Sequence, residues 1–88
     1  MMRNIREVLC DMGYEDAVVF ETPSYDDAIV GVSDGRVVYD FNKMVECLVN
    51  DEDMAMSEEE AVEFIEYNTI RALSYIENAP IVMFPILE

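Results

Sequence analysis

Residues 28–41 read AIVGVSDGRVVYDF: two runs rich in β-formers, divided by Asp34-Gly35. Asp-Gly between such runs is the signal of a two-residue hairpin turn, because both turn positions need positive φ. The turn sets the register. Ser33 faces Arg36, Val32 faces Val37, Val30 faces Tyr39 and Ala28 faces Phe41, and the last three pairs share one face, as a sheet with one buried side requires. On the other face Ile29 meets Asp40 and Gly31 meets Val38. Turn chemistry and hydrophobic pattern agree on a β-hairpin.

Downstream, Asn42 is placed to cap a helix from Lys43 to about Asn50, with Met44, Val45, Leu48 and Val49 inward. Asp51-Glu52-Asp53 closes it. Ser57 and Glu60 then form the reciprocal capping pair of a longer helix, Ser57 to Glu77. At about 100° per residue, Ala61, Ile65, Thr69, Ala72, Leu73 and Ile76 fall on its buried side, widened by Val62, Phe64 and Tyr75. Glu59, Glu63, Glu66, Ser74 and Glu77 fall opposite, with Tyr67 and Ile70 among them. Asn78 and Pro80 stop the helix, and Ile81 to Phe84 follow as an edge strand or as an arm laid on a partner.

Upstream, Asn4 and Glu7 open a first helix with Ile5, Val8, Leu9 and Met12 at helical spacing, and Gly13 ends it. It carries Arg3 and Arg6. Asp16 to Glu21 reads as a strand through Ala17, Val18, Val19 and Phe20, and Thr22 to Asp27, with Pro23, as a connection. The expected fold is a single α+β domain over residues 1–88: an antiparallel sheet of three or four strands with about three helices on one face.

The chain has 20 acidic and 5 basic residues, no histidine and a net charge of −15. From Met44 to Glu66 every charged residue is an acid. Such an excess argues against direct contact with nucleic acid or an anionic membrane, and favours a basic partner. Its simpler service is to keep an apolar, Met-rich domain soluble. Apolar content of 52% is enough to fold, although a domain this small buries only roughly 60–65% of its unfolded surface, and dimerisation is a common supplement. Cys10 and Cys47 are too few for a disulfide framework and read as buried or half-buried thiols. With no signal segment in MMRNIREVL and no membrane-length apolar run, a cytoplasmic location is expected.

Catalytic and metal chemistry is poorly supplied. Without histidine there is no Ser-His or Cys-His pair. Asp26, Asp27, Asp40 and Lys43 contain the residue types of some nuclease sites but not their spacing. A calcium loop begun at Asp51 would need glycine at Met56 and glutamate at Val62. No cofactor and no metal are expected. Of the methionines, Met12, Met44 and Met83 occupy core positions. Met54 and Met56 flank an acidic loop, as core fillers or as part of a contact surface.

The carboxylates Glu59, Glu63 and Glu66 recur along one helix face at roughly 5–6 Å, comparable with successive phosphates of DNA. Such a row can enter a groove built for nucleic acid, with Tyr67 and Ile70 adding the less salt-sensitive contact and Asp51 and Asp53 as outlying charges. The same spacing is common in solvated helices.

The segment MSEEEAVEFIEYNTIRALSYIENAPIVMF (56–84), preceded by RVVYDFNKMVECLV (36–49), resembles a recurrent small protein of phages and mobile elements of Gram-positive gut bacteria. The likeness rests on Glu59, Glu60, Ala61, Glu63, Phe64, Ile65, Tyr67, Asn68, Thr69, Arg71, Ala72 and Pro80. It implies a context of host-defence inhibitors, anti-CRISPR proteins among them, and no particular mechanism. Within this segment, Arg71 either pairs with Tyr67 or Glu63 or joins a recognition surface. Asn68 either satisfies a backbone group or joins the same surface. Taken together, the residues point to a non-catalytic binding protein that occupies the basic surface of a nucleic-acid-binding host protein. The alternative is a homodimeric accessory protein that associates through Tyr67, Ile70 and the C-terminal arm.

Overall fold

The Asp34-Gly35 turn forms with φ of 54° and 77°, both in the left-handed region that a two-residue hairpin demands. The structure is a computed structural model, and it describes residues 4–21 and 24–86. Arg3, Thr22 and Pro23, to which sequence expectations also attach, lie outside the described residues.

The turn joins β1 (Ile29–Ser33) to β2 (Arg36–Asp40). Ser33 pairs with Arg36, Val32 with Val37 and Gly31 with Val38, as the turn dictates. Beyond that the register slips, and Tyr39 is opposite Ile29, not Val30. The extra residue is a bulge at Val30. It turns Val30 outward to 44% exposure and puts Ile29 against the core beside Val32. Ala28 does not pair with Phe41. It lies in a 3-10 turn, Asp26–Ala28, and is fully buried there.

β2 runs directly into α2 (Phe41–Val49). The cap is Asp40 and not Asn42: its carboxylate accepts the Lys43 N–H at 3.1 Å. Two residues earlier than expected, this start brings Phe41 into the helix and buries it with Met44, Val45 and Leu48. Asp51 Oδ1 accepts the N–H groups of Asp53 and Met54 and so folds the turn that leads to the next helix. Ser57 and Glu60 make the expected reciprocal cap, with Glu60 N–H donating to Ser57 Oγ at 3.2 Å and Ser57 N–H to Glu60 Oε1 at 3.0 Å.

The helix after this cap is continuous but not uniform. α3 (Glu58–Phe64) widens into a π-helical segment, Ile65–Ile70, and then tightens into a 3-10 segment, Arg71–Tyr75. Ala61, Ile65 and Thr69 are buried at four-residue intervals. In a uniform α-helix a four-residue repeat drifts about 40° per turn, and the wider segment holds these residues on one line. Leu73 and Ala72 are only half-buried, Ile76 is 37% exposed and Tyr75, expected on the buried side, is 90% exposed, so the inner face ends earlier than expected.

The chain then returns as β3 (Ile81–Met83), which lies beside β2 in the order β1-β2-β3. Val38, Tyr39 and Asp40 pair with Ile81, Val82 and Met83 in parallel. The sheet is therefore mixed, not antiparallel. A strand, a helical crossover and a second strand in one sheet arrive parallel when the crossover runs back along the sheet. Residues 81–84 are folded onto the domain and are not a free arm. Phe84 stacks on Phe41 with ring centroids 4.6 Å apart.

Two further expectations change. Residues 17–21 form no strand. Phe20 N–H donates to the Tyr39 hydroxyl at 3.1 Å, and its ring packs 4.6 Å from that of Tyr39 and edge-on to Tyr25 at 5.8 Å. The aromatic cluster ties the segment to β2 through Tyr39 in place of a strand ladder. Cys10 and Met12 are exposed on the outer side of α1 (Ile5–Asp11), where Leu9 is the buried residue. Gly13, at φ 89°, ends α1 while the N–H groups of Gly13 and Tyr14 bond back to Cys10 and Leu9.

Arg6 fastens α1 to the domain. Its Nε and Nη2 each lie 2.9 Å from Asp26 Oδ1, Nη2 also donates to the Phe20 carbonyl, and Nη1 is 3.6 Å from Glu21. One guanidinium thus ties α1, the 20–21 segment and the 26–28 turn. With about a third of both side chains exposed, water screens part of the attraction. Arg6→Ala is expected to cost about 1–2 kcal/mol in urea unfolding. Arg6→Lys should recover less than half of that, because an ammonium cannot reproduce the fork.

Candidate functional site

The outer side of α3 and its π-helical continuation carries the acidic row. Glu59, Glu63 and Glu66 are all exposed. Ser57 fixes the helix start and Ala61 and Ile65 fix its inner face, so these carboxylates have no route inward. The first turn also holds Glu58 and Glu60, where negative charge complements the helix N-terminus.

The apolar companions of the row are placed differently. Tyr67 is 66% exposed at its C-terminal end, and the Arg71 guanidinium sits 5.6 Å from the centre of its ring. One ring face is covered by a cation, which also places a positive charge at the end of the row. Ile70 is not on the acidic face. The π-helical segment rotates it inward, where it packs half-buried against the core. Asn68 donates to the Phe64 carbonyl at 3.2 Å, at the point where the helix widens. Asn68 and Arg71 therefore both have local partners. Asp53 is exposed, whereas Asp51 is half-buried and its carboxylate is engaged in the turn. Met54 and Met56 pack against the core.

A second acidic region is one that pattern reading missed. A cleft of about 600 Å³ opens between the 26–28 turn and α2, lined by Asp26, Asp27, Glu46 and Asp51 with Lys43 as the one base. Lys43, Glu46 and Asn50 share a helix face by spacing alone. Nothing in the spacing places Tyr25, Asp26 and Asp27 opposite them. Of the four residues with nuclease-like types, Asp26, Asp27 and Lys43 meet in this cleft, while Asp40 is engaged as the α2 cap. Among the described residues no group of three or more Asp, Glu and Cys is arranged to hold a metal ion.

Tyr25 forms part of the cleft wall and is only 2% exposed, with left-handed backbone at φ 53°. Burial pushes its phenol up, and the nearby Thr69 hydroxyl opposes the shift. No group, Thr69 included, meets the Tyr25 hydroxyl with hydrogen-bond geometry. Burial likewise pushes up the Cys47 thiol, helped by the charges of Asp27, Glu46 and Asp26, and the Tyr39 phenol.

Compared with protein-family models, with curated proteins and with solved structures, the chain matches none. Among the described residues no helix is long and apolar enough to cross a membrane.

The raised groups give stability a one-sided pH dependence. Each is neutral in the fold and ionises more readily when unfolded, so its contribution is complete below the ordinary values, 9.0 for a thiol and 10.0 for a phenol. It is lost as pH rises through the higher folded values. The urea midpoint should therefore hold from pH 7 to about 9 and fall above it, and Tyr39→Phe should flatten the alkaline limb.

Proposed function

We propose that this chain acts by binding and not by catalysis, occupying a basic surface through which another protein holds nucleic acid. The observation that carries the reading is the exposed row Glu59, Glu63 and Glu66 on one helical face of a chain with net charge −15. Carboxylates fixed at helical spacing offer a basic groove what a phosphate backbone offers, without the mobility of free side chains on a loop. Tyr67, steadied by Arg71, stands at the end of the row as an aromatic contact. Asp53 adds charge nearby in the chain. Ile70 and Asp51 have structural duties and are left out of the contact. The resemblance of residues 56–84 to small proteins of phages and mobile elements suits an inhibitor of host defence, with a nucleic-acid-binding defence protein of the anti-CRISPR kind as target.

A second reading rests on exposed apolar groups. Tyr75 is 90% exposed, Ile86 95% and Phe84 54%. Self-association through them and Tyr67 would cover this surface. It would also bring two strongly negative chains together, which favours a basic partner over a second copy.

The two readings separate by salt and by charge reversal. A basic protein should give up its nucleic acid on binding this chain at low ionic strength and release the chain at high ionic strength. Glu63→Lys combined with Glu66→Lys should weaken capture by roughly tenfold or more. A salt-resistant dimer seen by light scattering, unaffected by the double reversal and with no basic protein captured, would replace inhibition with self-assembly.

A further inference from the structure

A groove of about 340 Å³ runs along the seam between α2 and α3. Phe41, Val45 and Val49 line it at four-residue intervals on α2, and Val62 lines it from α3. Val49 and Val62 are half-buried, and Phe41 and Val45 lie deeper. The apolar surface continues beyond the groove. Phe84 stacks on Phe41 and is 54% exposed, so an aromatic ring stands open at the Phe41 end. Glu46 and Glu58, both exposed, are the charged residues of the lining, one from each helix. Among the described residues no base lines the groove.

An apolar row between two carboxylates restricts what fits. A second copy would bring a net charge of −15 against Glu46 and Glu58. A purely cationic strand would leave Val49, Val62 and Phe84 uncovered. A segment with an apolar stripe flanked by bases meets both demands. A row at four-residue intervals on one helix receives the matching ridge of another. The stretch from Phe41 to Asn50 is about 14 Å long, the length of roughly nine or ten helical residues.

We propose that this groove receives a short amphipathic helix of the basic partner. Its apolar stripe lies against Val45, Val49 and Val62, one large residue covers Phe84, and Lys or Arg on its two flanks meet Glu46 and Glu58. The inference rests on the binding reading and adds to it a contact that salt does not abolish. α3 borders both surfaces: Glu58 and Val62 line the groove, and Glu59, Glu63 and Glu66 form the exposed row. One partner can therefore engage both.

The test is a titration of the intact chain, read by amide and methyl chemical shifts, with an acetylated helical peptide of about twelve residues. Its leucines form one stripe and lysines flank them. Two control peptides accompany it, one of the same composition with the leucines dispersed around the helix, the other with the same stripe flanked by glutamate. Saturable shifts are expected at Val45, Val49, Val62 and Phe84. The stripe peptide should bind roughly tenfold tighter than the dispersed one, a margin that persists in raised salt. The acidic peptide should not saturate. Glu46→Gln with Glu58→Gln, both at exposed positions, should weaken binding severalfold. Phe84→Ala should do the same, with the urea midpoint reporting on its fold. Equal affinity for the stripe and dispersed peptides, shifts centred on Glu59, Glu63 and Glu66, saturation by the acidic peptide, or indifference to both sets of substitutions would each overturn the assignment. So would groove shifts that appear on concentrating the chain alone, which would give the groove to a second copy. No partner protein enters this titration. Its failure leaves the row to stand on the charge-reversal experiment, and a failed charge reversal does not touch the titration.

Discussion

Tyr39 sits fully buried in the central strand, with its ring 4.6 Å from Phe20 and its hydroxyl accepting the Phe20 N–H. The rest of the domain is arranged around that placement. β2 gives Tyr39 and Val37 to one face, and α1, α2 and α3 each supply buried residues to the same cluster: Leu9, then Met44 and Leu48, then Ala61. β1 and β3 pair on either side of the same strand. Because a strand alternates faces, keeping Val37 and Tyr39 inward leaves Arg36, Val38 and Asp40 on the other side. That alternation delivers Asp40 to the α2 cap position.

The bulge at Val30 follows from the same constraint. An unbroken hairpin would place Val30 opposite Tyr39, next to the space taken by the 26–28 turn and Ala28. With the bulge, Ile29 takes the core position and the chain leaves β1 toward the turn that Arg6 anchors. The guanidinium is thereby an internal fastener, and one of five bases is tied into the fold and partly buried. The exposed charge is mostly acidic, with Arg36, Lys43 and Arg71 the exposed bases among the described residues. The cost is self-repulsion across a small domain, opposed by a core that reaches from α1 to β3.

The acids divide into two kinds of surface. On α3 they form a convex row whose regularity comes from helix geometry. Beside α2 they line a concavity whose wall includes Tyr25. The π-helical segment bears on both. It keeps Thr69 on the buried line near Tyr25, turns Ile70 inward, and leaves Tyr67 outside under Arg71.

Features governed by a few adjacent residues were legible in the chain itself. Asp34-Gly35 imposes positive φ, Ser57 and Glu60 satisfy each other's backbone, Gly13 ends α1, and the acidic face of α3 follows from where Ala61 and Ile65 must point. These depend on covalent neighbours and on one helical turn, which any tertiary setting would share. The parallel docking of β3, the bulge at Val30, the shift of the cap to Asp40, the failure of residues 17–21 to pair, and the inward turn of Ile70 depend on which surfaces meet. A strand-helix-helix-strand order could have suggested the parallel pairing. The others could not be foreseen, because an apolar run such as Ala17–Phe20 is stabilised equally by a ladder or by an aromatic cluster. The cleft belongs wholly to the second group: Tyr25, Asp27 and Glu46 carry no mutual signal in sequence, and only the packing of the 26–28 turn on α2 brings their charges to one place.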